Sequence, residues 1–257
     1  MGVFDVASPL FAWVDGLMSG WLPDTVRLLF WAVVAGVASM ALYGLTSNQA
    51  RLASIKAEMA LLRKQIVEFD GPFPEMWALV GRNLRLALRQ VWVTFVPAII
   101  ASVPVLFLLV WVSNSFDASM PRPGDQVGIE AFASEGQALP ALHWRGAGAR
   151  AEGEDTWRVA WPDAGMPLEL LNANDQVLLK LPTAAPVGVV HQRRWWNVLL
   201  GNPAGYLPPG QVDAVEIGLP RREYLPFGPD WLRGWIPLFF AVLIAASLLV
   251  KILWRLH

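Results

Sequence analysis

The sequence predicts an α-helical membrane protein with three transmembrane helices, a cytoplasmic antiparallel coiled-coil hairpin, and an inserted extracytoplasmic all-β domain, either sandwich or barrel. Three observations lead there. Of the 257 residues, 55% are hydrophobic and 16% charged, with 14 Trp, and the mean hydropathy is +0.41, on the apolar side of soluble domains. Stretches 26–45, 91–112 and 235–253 each approach the roughly 20 apolar residues that cross about 30 Å of hydrocarbon. Residues 114–233 break instead into short runs separated by Pro and Gly, which is strand patterning.

Residues 1–23 come first. Phe4, Leu10, Phe11, Trp13, Val14, Leu17 and Trp21 stand among few charges, which predicts a short helix lying at the outer headgroup level. The first basic residue is Arg27 and no small-residue cleavage site follows a charged segment, so a secretory signal is not expected. The first span is placed at 24–46. Its Gly36, Ala38, Ser39 and Gly44 leave small faces for a neighbouring helix.

Residues 47–90 form the predicted hairpin. Leu52, Ile55, Met59, Leu62 and Ile66 recur at steps of three and four, the seam of a packed helix. About two heptads do not sustain a free coiled coil, so the partner must be near in sequence. Asp70-Gly71-Pro72 and Pro74 end one helix and start another. Trp77, Val80, Leu84, Leu88 and Val91 are the expected partner stripe. Arms of this length would stand roughly 25 Å into the cytoplasm.

The second span, 91–113, holds Pro97 and Pro104 seven residues apart, which predicts a bend. The β domain is placed at 114–230, with strand candidates at 126–132, 141–145, 156–162, 168–172, 176–182, 187–192 and 213–220, and a turn at 172–176. The third span is 231–254, followed by a short cytoplasmic tail, 255–257.

Orientation follows from charge. The 46–90 connection has seven basic residues (Arg51, Lys56, Arg63, Lys64, Arg82, Arg85, Arg89) against four acids, and short basic loops stay in the cytoplasm. The N-terminus and the β domain then face outward, in a multi-pass membrane protein. The same seven residues are candidate contacts for anionic lipid, or for ribosomal RNA and a nascent chain. A solvated face is the plainer reading.

Chemistry is sparsely represented. There is no Cys, so disulfides and thiol chemistry are excluded. His143, His191 and His257 are scattered, and neither H-E-x-x-H nor G-x-S-x-G occurs. No catalytic residues, metal ligands or cofactors are expected, nor DNA as a partner. Arg193, Arg194, Trp195 and Trp196 cluster before a Pro/Gly-rich loop, which reads as an outer membrane interface or as a ligand or glycan platform.

The span ending "ALYGLTSNQARLASIKAEMALLRKQI", the hairpin, the Pro-containing "FVPAIIASVPVLFLLVWV" and a third span closing the chain together resemble the YidC/Oxa insertase superfamily. The similarity covers residues 25–113 and 230–257 and is to the compact three-span branch, which includes archaeal YidC-like proteins and the insertase subunit of the ER membrane complex. The resemblance implies a groove open to cytoplasm and lipid that admits a polar client segment. Its mild lining here would be Thr46, Ser47, Asn48, Thr94 and Ser102. Bacterial YidC proteins commonly carry an arginine within the groove, whereas here no basic residue lies between Arg27 and Arg51 or between Arg89 and Arg122. The expected function is insertion or assembly of membrane proteins, with nascent membrane proteins, the ribosome and other membrane subunits as partners. The alternative is a non-catalytic scaffold subunit whose β domain binds a periplasmic partner.

Overall fold

The computed structural model describes residues 2–146, 148–163, 166–181, 186–195, 199 and 205–255. The helices are α1 (Ser8–Ser19), preceded by a 3-10 turn at Val3–Ala7, then α2 (Asp24–Thr46), α3 (Gln49–Val67), α4 (Phe73–Phe116), α5 (Asp230–Arg233) and α6 (Trp235–Leu253). Of these, α2, α4 and α6 are long and apolar enough to cross a membrane, which makes the chain a multi-pass membrane protein with a separate β region. Two compact units divide it, Met1–Leu28 with Phe107–Leu238 and Leu29–Leu106 with Phe239–His257.

In the second of these units, α3 and the first half of α4 pair. Asn48 caps α3 by accepting a 2.9 Å hydrogen bond from the Arg51 amide. Leu52, Ile55, Met59 and Leu62 are all buried, the row that three-and-four spacing selects. Their partner row on α4 is different from the one expected. Ile55, Met59 and Leu62 pack with Leu86, and with Leu79, Ala87 and Val93 around it. Trp77, Leu84, Leu88 and Val91 are instead 56–61% exposed. Both rows have helical spacing, but Asn83 and Gln90 interrupt the true one, and the larger apolar residues stand on the outside.

The hairpin arm and the second span are one helix of 44 residues that continues through Pro97 and Pro104, with no break near residue 90. α2 and α6 meet closely at Gly36, where a Cβ would come within 2.7 Å of the Leu243 carbonyl oxygen. A glycine there allows backbone-to-backbone approach, the small-residue contact typical of membrane helices.

Among its described residues the first unit has eight antiparallel strands: β1 (Gln126–Ala133), β2 (Leu142–Arg145), β3 (Arg150–Ala151), β4 (Thr156–Ala160), β5 (Leu168–Asn172), β6 (Val177–Leu181), β7 (Val189–His191) and β8 (Val212–Ile217). Five form one sheet in the order β3-β4-β1-β8-β7, and three form another, β2-β5-β6. β1 buries alternate residues, so Val127, Ile129 and Ala131 join Trp157, Val159, Leu168, Leu170 and Val215 in one core fed by both sheets. The two-residue β3 has no signal in the sequence. The 172–176 turn is held by the Asn172 side-chain oxygen, which accepts from the Asn174 and Gln176 amides, with Asp175 at φ 58°, a conformation Asp tolerates.

Candidate functional site

A polar cluster gathers at the ends of the long helices within the first unit. α1 is too short to cross a membrane, at 12 residues. Its Leu10, Trp13 and Leu17 are exposed while Asp15 is buried on the opposite side. Arg27, in the first turn of α2, donates from Nε to Asp15 Oδ1 at 3.0 Å and from Nη2 to Asp15 Oδ2. It also donates from Nη1 to Asp24 Oδ1 at 2.9 Å, and its guanidinium lies 5.4 Å from the Phe116 ring centroid. Asp24 in turn accepts from Arg222 at 2.7 Å.

The same cluster ties down the loop before α5. The Tyr224 hydroxyl donates to the Phe116 carbonyl at 2.8 Å, and Trp235 Nε1 donates to Asp117 Oδ1 at 3.0 Å. Burial pushes the Tyr224 phenol up to about 12, against the opposing pull of the Arg222 charge. A phenol so placed remains a hydrogen-bond donor at neutral pH, which suits bracing rather than proton transfer. Trp235 is buried and engaged in this bond, whereas Trp231 is exposed.

The seven basic hairpin residues are all exposed. They occupy two helices rather than one patch. Arg82 reaches across the hairpin to Glu58 at 2.7 Å, and Lys64 lies 3.9 Å from Glu68 on the next turn. Arg51, Lys56 and Arg63 are exposed on α3, at helical positions that flank its seam, and Arg85 and Arg89 share one edge of α4 with Arg82.

The expected groove residues make local bonds. Thr46, Thr94 and Ser102 donate to the carbonyls of Leu42, Gln90 and Ile99 in their own helices, the back-bonding common to hydroxyls in apolar helices. Ser47 is buried and accepts from Gln49, and Asn48 serves as the α3 cap. These bonds do not aim the five residues at a common point.

In the β domain, Arg194 pairs with Asp213 at 2.6 Å, Trp195 is 85% exposed, Arg193 is exposed, and Trp196 lies outside the described residues. A site that sequence reading missed sits on the smaller sheet. The register places Arg145 and Lys180 directly opposite Glu169 on its two flanking strands, and both bond to it, at 3.3 and 2.9 Å. The Lys180 ammonium holds the Glu169 carboxyl below its ordinary value, with burial opposing and Arg145 adding to the effect. Arg145 and Glu169 also border an open cleft of about 650 Å³ with Trp161 and Met166. Among the described residues no group of three or more His, Cys, Asp or Glu could hold a metal ion.

The sequence matches no known family model and no curated protein, and the fold matches no solved structure.

Proposed function

We propose that this chain is a YidC-like insertase or assembly chaperone of a bacterial inner membrane. In this reading the N-terminus and β domain face outward, and the hairpin and C-terminus are cytoplasmic. The observation that carries it is the union of a packed hairpin with a membrane span in the single helix α4, bearing a row of exposed arginines just beside the apolar segment. Such an arm gives a nascent chain or ribosome a cationic edge within about one Debye length of the bilayer. A polar or locally thinned path beside the spans would lower the several-kcal/mol cost of moving unsatisfied polar groups through hydrocarbon. Clients are apolar segments of other membrane proteins.

The β domain, with its own core of buried residues, favours a second reading, a scaffold subunit that recruits an extracytoplasmic partner. A depletion strain complemented with variants separates the two, scored by insertion of a small single-span reporter. Under the insertase reading, Arg85→Glu with Arg89→Glu impairs insertion and loss of residues 120–225 is tolerated better. Rescue that depends only on the β domain, with full insertion by the charge-reversed protein, overturns it.

A further inference from the structure

One side of the α4 arm has no partner in the hairpin. Phe73, Trp77, Leu84, Leu88 and Val91 are 56–62% exposed. At 3.6 residues per turn they fall within about 60° of one another around the helix, in a row about 27 Å long at 1.5 Å per residue. Leu79 and Leu86, which pack against α3, lie on the far side. α3 itself exposes Leu61 and, at its end, Val67, but these fall about 120° apart around their helix and make no row. Lipid does not cover the α4 row, because α4 is one helix whose stretch 91–112 already fills the hydrocarbon. The residues before that stretch stand in water, where an apolar strip of such length marks an interaction surface.

We propose that this row is the docking site for an amphipathic helix of another protein, one with an apolar stripe and acidic residues along one flank. The exposed anchors recur at steps of four, seven, four and three, the spacing with which one helix packs along another. The acidic flank follows from charge. Arg82, Arg85 and Arg89 form an edge of α4 between the row and the seam. Arg82 pairs with Glu58 of α3 at 2.7 Å, whereas Arg85 and Arg89 have no carboxylate partner among the described residues. A helix laid on the row sets one flank against that edge, where carboxylates are attracted and bases repelled. A second copy of this chain does not supply them. Held parallel by the same membrane, it brings to the arginines the flank that carries Met76, Val80 and Ala87, none of them acidic. RNA would meet the arginines and leave the apolar row uncovered. This inference does not depend on the insertase reading.

The chain has no cysteine, so one environment-sensitive fluorophore can be placed cleanly in the full-length protein, held in phosphatidylcholine nanodiscs. Gly81→Cys sets it at the margin of the row, where a side chain meets nothing within 4 Å and all five anchors are kept; Ala57→Cys on α3 is the reference. The probes are two synthetic helical peptides of about 18 residues, the length of the row at 1.5 Å per residue, with Leu at steps of three and four and either Glu or Lys along one flank. The expected result is a saturable blue shift at position 81, absent at 57, with the Glu peptide binding several-fold more tightly than the Lys peptide and losing that advantage in high salt. In Arg85→Glu with Arg89→Glu the preference reverses, and binding of the Lys peptide shows that this variant is folded. No shift with either peptide, equal binding of the two, or a preference that charge reversal leaves unchanged overturns the proposal. A shift without peptide on adding phosphatidylglycerol assigns the row to lipid, and one that appears on placing two chains in each disc assigns it to a second copy; each equally overturns it.

Discussion

Arg27 grips both carboxylate oxygens of Asp15, joining the first turn of a membrane span to the helix before it, with side chains only 12% and 9% exposed. Neither residue stands out in the sequence, and both are largely removed from solvent. Two desolvated charges held this way stabilise little in total, but removing one of them strands the other.

Arg27→Met should therefore cost about 3 kcal/mol or more, and Asp15→Asn combined with it should recover part of that loss. Urea or SDS unfolding in detergent micelles measures both. A double variant no more stable than Arg27→Met alone would show that the ion pair is not what couples these helices.

The seam and the outer row of the hairpin make opposite predictions from the same residue type. Leu62→Ala, in the seam with Leu86, should loosen the hairpin by roughly 2–4 kcal/mol. Leu84→Ala, on the outer row, should cost less than about 1 kcal/mol in detergent. Hydrogen exchange of peptides from 49–67 separates the two, and equal deprotection would return the outer row to the seam.

Tyr224→Phe removes a buried donor and leaves the Phe116 carbonyl unsatisfied, at a cost of about 1–2 kcal/mol. The tyrosinate absorbance lost in this variant should belong to a group ionising near pH 12. Because the folded value is raised, the stability linked to it is complete below the ordinary 10 and disappears as pH climbs through 12. A difference band appearing near pH 10 would contradict the buried hydrogen bond.

Acid should act on the smaller sheet through Glu169. Its carboxyl is lowered by Lys180 and Arg145, so its contribution is present above the ordinary 4.5 and is lost as pH falls below that toward the folded value. Melting of the amide I β-sheet band between pH 3 and 7 should show an acid-sensitive component in the wild type that Glu169→Gln lacks. Identical profiles would remove the ladder from the domain's stability.

Single cysteines at Ser54 and Ala173, both exposed, should react with an impermeant maleimide from opposite sides of the membrane. Reaction of both from one side refutes the assigned orientation.

Sequence pattern revealed the spans and most strands because it records what they require, namely about 20 apolar residues or strict alternation. It located the α3 seam for the same reason. It chose the wrong α4 row because an apolar residue in a membrane protein need not be covered by protein, and the covered row is diluted by Asn83 and Gln90. The Arg27 cluster could not be read at all. Asp15 lies 12 residues away, and Arg222, which shares Asp24 with Arg27, lies 198 residues from that aspartate. Glu169 was hidden inside the apolar run "LELL", since only the strand register shows that basic residues flank it. The hydroxyls of Thr46, Thr94 and Ser102 were visible, but their choice of a backbone acceptor over a cavity is a rotamer decision that composition does not encode.

The unbroken course of α4 also has a mechanical consequence. Proline supplies no amide hydrogen, so Pro97 and Pro104 leave the carbonyls of Val93 and Ile100 without their usual helical donors. Stiffness should then be lowest near these turns, at the root of the arm. Phe73 lies 24 residues beyond Pro97, a lever of about 36 Å at 1.5 Å per residue. A flexure of about 10° at its root would sweep the tip through some ~6 Å, roughly the length of one helical turn. Small rearrangements within the bilayer would thus become large excursions at the hairpin tip, and a load placed on the tip would return to the span as torque.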